Sequence, residues 1–238
     1  MDQYTKDAIA EMKRWQKAMM RKPSILGRMS KSIQDRINKW IPEKIHKAIT
    51  TTLKQMVRVV LFGATYTTFK QPDEKSLELL EKTVIKRTEF YRTTAAVEGG
   101  ITGAGGFLLG LADFPILIGI KLKLLYDIGS IYGFDIKNYK ERIYILHIFE
   151  LAFSSDIHRK NVYLKMADWD KKSAKLPDDI HEFDWRTFQQ EYRDYIDLAK
   201  MAQLVPVIGA PVGAIVNYKL IKKLGFTAMN AYRMRLIG

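Results

Sequence analysis

Apolar residues recur every three to four positions through most of this chain, the spacing of one face of an α-helix. Over residues 2–22, Tyr4, Ala8, Met12, Trp15 and Met19 form one stripe. Lys6, Lys13, Arg14, Lys17 and Arg21 lie elsewhere on the wheel, and Pro23 ends the segment. Residues 24–40 repeat the pattern less strictly, with Ile25, Met29, Ile33, Ile37 and Trp40 against Arg28, Lys31, Arg36 and Lys39. Such stripes either pack on the protein's own core or, with a basic polar face and Trp and Met on the apolar one, lie in a lipid headgroup layer. Pro42 and Glu43 open a longer helix to about residue 70, on a stripe through Ile45, Ile49, Thr52, Met56, Val59, Gly63 and Tyr66. Pro72, Asp73 and Glu74 start the next, through Leu77, Leu80, Val84, Thr88, Tyr91 and Ala95. Proline and acids in a first turn suit the helix dipole. Further helices are expected over 138–153, 157–169, 185–204 and 211–236, with a polar loop around 177–184. Strand-like alternation is rare. The pattern predicts an all-α fold, a multi-helix bundle in one domain over 1–238, with 1–40 able to serve as an amphipathic arm on a membrane surface.

Two apolar segments interrupt this regularity. Residues 99–120, GGITGAGGFLLGLADFPILIGI, contain seven glycines and no Lys or Arg. That length would cross a bilayer core of roughly 30 Å. Asp113 in its middle costs about 2.5–3.5 kcal/mol on an insertion scale, and Pro115 removes a helix hydrogen bond. Asp113, Phe114 and Pro115 therefore read as a turn joining two short arms, a glycine-rich apolar helical hairpin. The arm over 101–112 is about 18 Å long as a helix, too short to cross. Gly99/Gly103 and Gly106/Gly110 are pairs that let helices approach closely. The hairpin is either buried in the core or dips into one leaflet. Residues 204–216, LVPVIGAPVGAIV, repeat the character at shorter length, broken by Pro206 and Pro211, with Gly209/Gly213 as a further small pair.

Charge changes the picture next. The formal net charge is +13, and it is unevenly spread. Residues 1–60 hold 14 Lys/Arg against five Asp/Glu, and residues 199–238 hold six Lys/Arg and no acid, while the middle of the chain is near balance. Basic amphipathic ends are drawn to anionic surfaces. Their interleaving with Trp15, Met19, Met20, Met29 and Trp40 favours a lipid surface over nucleic acid, for which no recognised motif is present. There is no cysteine, which excludes disulfides and thiolate chemistry and fits a reducing compartment. The first residues lack the continuous apolar core of a secretory signal.

The chain resembles the EcsC family. The resemblance rests on TGAGGFLLGLADFPILIGIKLKLLYDIGSIYGFD (102–135), ERIYILHIFELAFSS (141–155) and VPVIGAPVGAIVNYKLIKKLGFTAMNAYRMR (205–235). It implies an accessory role near an ABC-type exporter, because the family's namesake is encoded beside one, and it implies no catalytic residues.

Candidate chemistry is sparse. Gly103-Ala104-Gly105 begins a dinucleotide fingerprint, but position 108 is Leu and the preceding segment reads as helix. His147, Glu150 and His158 would share one helix face as metal ligands, except that Ser154, Ser155 and Asp156 look like a helix end and a new cap. Glu98 and Asp113 bracket the apolar stretch. They are either a perturbed acid/base pair or ordinary carboxylates that cap a helix or pair with Lys121 or Lys123. The expectation is thus a non-enzymatic accessory protein without cofactor or metal. It would be cytoplasmic and peripheral to the cell membrane, with an anionic membrane surface and exporter subunits as partners. The alternative is a hydrolase with a buried polar site around Glu98, Asp113, His147 and Glu150.

Overall fold

The computed structural model describes residues 1–22, 43–62, 71–73, 76–104, 106–156, 158–196 and 210–238. Their helices are α1 (Gln3–Met20), α2 (Glu43–Phe62), α3 (Leu77–Ala104), α4 (Gly106–Ile131), α5 (Tyr139–Phe153), α6 (Arg159–Met166), α7 (Trp169–Ser173), α8 (Trp185–Tyr195) and α9 (Ala210–Leu236). A 3-10 turn spans Ile180–Glu182. The described residues contain no strand; one isolated bridge pairs Ser154 with Ile196. The fold is all-α, as the periodicity predicts. The expected helix over 24–40 and the continuations over 63–70 and 197–204 lie outside the described residues.

Side-chain oxygens start several helices by accepting from otherwise unpaired amides of the first turn. Asp2 accepts from the Thr5 amide at 2.7 Å, Asn138 from Lys140 at 2.9 Å and Asp184 from Thr187 at 3.1 Å. The helix expected over 157–169 is shorter than predicted. It stops at Met166, and Asp168 takes a left-handed conformation, φ 54°, before α7 begins.

α5 occupies the centre. Every residue from Ile143 to Phe153 is buried, so this helix is enclosed on all sides. It packs against α2, α4, α6 and α9, while α3 lies along both α4 and α9. Near the last described turn of α2, Tyr126 and Arg142 both donate to the Val60 carbonyl, at 3.0 and 3.4 Å. α1 lies across α3, α6 and α9. Its stripe residues Ala8, Met12 and Trp15 are buried, with Trp15 edge-on to Tyr163 at 5.8 Å. Three of the five stripe residues of the first helix thus pack on the core, and Tyr4 and Met19 are half-buried.

The glycine-rich stretch differs from expectation. The turn expected at Asp113, Phe114 and Pro115 is absent, because all three lie inside α4. The chain instead leaves α3 at Ala104 and enters α4 at Gly106. Burial explains the reversal. Proline inside a helix costs about 3 kcal/mol, but Phe114, Leu117 and Ile118 around it are at most 2% exposed, and each such side chain contributes about 1.5–3 kcal/mol. Gly103, Gly105 and Gly106 each cost a helix about 1 kcal/mol relative to alanine and bury no side chain in return. α3 and α4 run antiparallel, since Glu81 reaches Tyr132 and both Arg87 and Tyr91 reach Asp127. No described helix is long and apolar enough to cross a membrane. The side chains of residues 96–113 and 210–214 lie outside the description, and with them the expected glycine pairs. Two other glycines do set helix spacing. A Cβ on Gly129 would fall 2.6 Å from the Tyr232 hydroxyl, and one on Gly225 would fall 2.6 Å from Thr88.

A buried ion pair locks this arrangement. Glu81 on α3 is wholly buried and faces the guanidinium of Arg233 on α9, with Nε to Oε1 and Nη2 to Oε2 both 2.6 Å. Tyr4 of α1 donates to Glu81 at 2.7 Å, Tyr132 just after α4 at 3.4 Å, and Glu11 of α1 also pairs with Arg233. Burial and the hydrogen bond to Glu81 push the Tyr4 hydroxyl well above its ordinary pKa. Removing one partner of such a pair strands the other charge, which costs about 3–5 kcal/mol. Arg233→Met is accordingly expected to lower the unfolding free energy measured by urea titration by about 3–5 kcal/mol. Adding Glu81→Met should recover most of the loss, because no charge is then left buried without a partner.

Candidate functional site

The α4–α9 interface carries an ionisable group that its surroundings do not neutralise. On the buried side of α4, among Leu117, Ile118, Leu122 and Leu125, stands Lys121, which is completely buried. Its Nζ donates to the Leu117 carbonyl one turn back at 3.2 Å and to Asn217 Oδ1 of α9 at 3.0 Å. Among the described residues no carboxylate pairs with it. Burial pushes the amine down to about 7, because the charged form loses its water. The neighbouring cation behaves otherwise. Lys123, with Arg87, pairs with buried Asp127, to which Tyr91 also donates at 2.9 Å. Lys123 therefore serves Asp127, and the side chain of Asp113, for which either lysine was a candidate partner, lies outside the description.

The four residues of the hydrolase alternative divide in the same way. The side chains of Glu98 and Asp113 are outside the described set. His147 and Glu150 meet as their i, i+3 spacing predicts, Nδ1 to Oε2 at 2.8 Å, both buried on α5. The second oxygen of Glu150 is buried without a hydrogen bond. His147 stands edge-on to Trp169 and Phe188 and borders an open, largely apolar cavity of about 460 Å³ with Asn161, Leu164, Lys165, Lys172 and Leu176. A carboxylate on one ring nitrogen fixes the imidazole's orientation and leaves the other nitrogen for chemistry. No hydroxyl or thiol side chain lines the cavity beside it. His158 does not share this face. α5 ends at Phe153, and the His158 ring stacks on Tyr195 at 4.7 Å. Among the described residues no three His, Asp or Glu side chains are grouped to hold a metal.

A third cluster joins α9 to α5 and α7. Arg235 pairs with Glu141 at 2.7 Å and Asp170 at 2.6 Å, and stacks over Phe134 and Tyr144 at 3.9 and 4.7 Å. Burial raises the Glu141 carboxyl above its usual range despite this guanidinium. This cluster, like Glu81–Arg233, is internally satisfied and connects helices. From the sequence, Lys121 is a candidate partner of Asp113, and Asn217 is not singled out. The available sign is a pair of lysines, Lys121 and Lys123, inside the apolar run over 117–125.

The Lys121 amine has a pH signature. Its folded pKa lies below its unfolded value of 10.5. Between about 7 and 10.5 the unfolded chain therefore binds the extra proton, and stability from this group rises with pH across that window. Lys121→Met is expected to be more stable than the native chain near pH 7 by a few kcal/mol. The advantage should shrink toward pH 10. Denaturant melts at pH 7, 8.5 and 10 check this, and a difference constant with pH would contradict it.

Comparison with known proteins follows the same boundaries as the fold. The EcsC protein family matches residues 6–237. Protein EcsC of Bacillus subtilis (strain 168) is 44% identical over 225 residues, covering 94% of this chain and 92% of the relative. The uncharacterized protein YdbA of the same organism is 30% identical over 251 residues, covering 96% and 91%. No solved structure matches significantly. On the extent of the family match and of the identity to the first of these relatives, the chain belongs to the EcsC protein family.

Proposed function

We propose that this chain is a non-enzymatic accessory protein that associates peripherally with the cytoplasmic face of the cell membrane, near an ABC-type exporter. The observation that carries the membrane part is the outer face of α9. Ile215 and Phe226 are 53% and 40% exposed, and they share one helix face with exposed Tyr218, Lys219 and Lys222. The helix contains no acid. Large apolar side chains alternating with lysines on one exposed face suit a headgroup layer, where apolar groups enter the interface and cations meet anionic lipid at about 1 kcal/mol each. Exposed Ile85 and Phe90 on α3 and Ile116 on α4 add apolar surface. In this reading the parts of the stretches over 99–120 and 204–216 that do not pack in the core, as Phe114, Leu117 and Ile118 do, insert shallowly or dock on a membrane partner. The exporter comes from the family resemblance alone. The same mixture of apolar and basic groups favours lipid over nucleic acid.

A hydrolytic role is the second reading, favoured by the buried His147–Glu150 pair at its cavity. It requires turnover of a lipid ester or peptide that His147→Gln abolishes while the melting temperature is held.

Flotation tests the leading reading. The full chain is expected to rise with vesicles containing phosphatidylglycerol and to remain below with phosphatidylcholine alone. Ile215→Asp with Phe226→Asp should reduce flotation several-fold without changing the melt, since both side chains are exposed. Protein left in the soluble fraction with anionic vesicles overturns the membrane assignment. Capture from native membranes without exporter subunits overturns the partner.

A further inference from the structure

Between α2 and α8 lies a cavity of about 250 Å³ whose lining has a distinct chemistry. Leu53, Val57 and Tyr192 form an apolar floor, all at most 3% exposed. Thr50, Lys54, Arg186 and Gln190 surround it with polar groups, and among the described residues no acid lines it. The geometry follows from the helices. Thr50, Leu53, Lys54 and Val57 are successive i, i+3, i+4 and i+7 positions of α2, and Arg186 and Gln190 are i and i+4 on α8. The two cations thus reach the same opening from opposite walls. Among the described residues neither makes an ion pair. Exposed Asp184 precedes Arg186 by two residues, and exposed Asp194 follows Gln190 by one turn. The Asp184 carboxyl is held below its ordinary value chiefly by hydrogen bonds from Thr187, with Arg186 a minor contributor.

A concave apolar surface with a few converging polar groups is the usual form of a small-molecule site. Two cations, an amide and a hydroxyl without an acid select an anion, and a guanidinium is suited to the paired oxygens of a phosphate. The apolar floor adds a requirement that a bare ion does not meet. We propose that this cavity binds the phosphodiester head of an anionic glycerophospholipid. The phosphate sits between Lys54 and Arg186, and the glycerol and first chain carbons lie on the Leu53, Val57 and Tyr192 floor. This rests on the membrane reading above and deepens it, since it replaces general attraction to a charged surface with one built lipid site.

The test titrates the full chain with dihexanoyl phosphatidylglycerol below its micelle concentration, following the amide signals of Thr50, Lys54 and Gln190. Dihexanoyl phosphatidylcholine and inorganic phosphate are run in parallel. Saturable binding is expected with phosphatidylglycerol, at least roughly tenfold tighter than with either comparator. Lys54→Glu with Arg186→Glu should weaken it by a similar factor. Lys171→Glu with Lys175→Glu, an equal change of charge at exposed sites elsewhere, should leave it within about twofold. Both double variants alter exposed side chains, and thermal melts confirm that they fold. Equal affinity for the two lipids, equal loss in both double variants, or no saturation overturns the proposal. Inorganic phosphate binding as tightly as phosphatidylglycerol overturns the lipid assignment in favour of a soluble phosphate. Flotation separates the two readings. A chain that floats without binding the short lipid refutes only the cavity, whereas one that binds it without floating refutes the membrane surface.

Discussion

A carboxylate without exposed atoms has to find its counter-charge inside the protein, and Glu81 finds it on the last described helix. Arg233 meets it through two parallel hydrogen bonds, Tyr4 and Tyr132 donate to the same oxygens, and Glu11 shares the guanidinium. Helices α1, α3, α4 and α9 are thus placed relative to one another by the bonding needs of one group. An ion pair of this kind adds little net stability over an apolar pair of equal volume, yet it is intolerant of misplacement. Asp127 with Arg87 and Lys123, and Glu141 with Arg235, repeat the logic at neighbouring junctions. Gly129 and Gly225 then let the same helices approach closely at Tyr232 and Thr88.

What the sequence disclosed follows from what is local. Helix starts were legible where a short polar side chain accepts from the next turn, as at Asn138 and Asp184. The apolar run that became α5 was legible, as was the meeting of His147 with Glu150 three residues on. The site of the break in the glycine-rich stretch was not. A proline argues locally for a turn, but the side chains around Pro115 are buried by partners that sequence spacing does not reveal. Lys121 and Lys123 looked equivalent as cations beside an apolar run. Two positions apart on a helix they point to different sides. One meets Asp127 a turn away and the other Asn217, 96 residues away. Of the four residues proposed for a polar site, only the two on α5 have their side chains in the described set.

α9 divides its charges by face. Having no acid of its own, it draws on α3, α5 and α7 to satisfy Arg233 and Arg235. Lys219 and Lys222 stay outside with Ile215 and Phe226. One helix therefore both closes the interior and presents an exposed apolar and basic surface, so contact at that surface bears directly on the helix that organises the core. Lys121 and Asn217 sit on the inner side of this same element.

The pairing of Glu11 with Arg233 joins positions 222 residues apart. During synthesis, α1, α3 and α4 emerge long before α9 does. Until it arrives, Glu81 and Glu141 lack the guanidinium groups they meet in the fold, and the side of α3 that packs on α9 has no cover. Native closure is consequently a late event that waits on the synthesis of α9, and until then the growing chain leaves uncovered the apolar surface that α9 later buries.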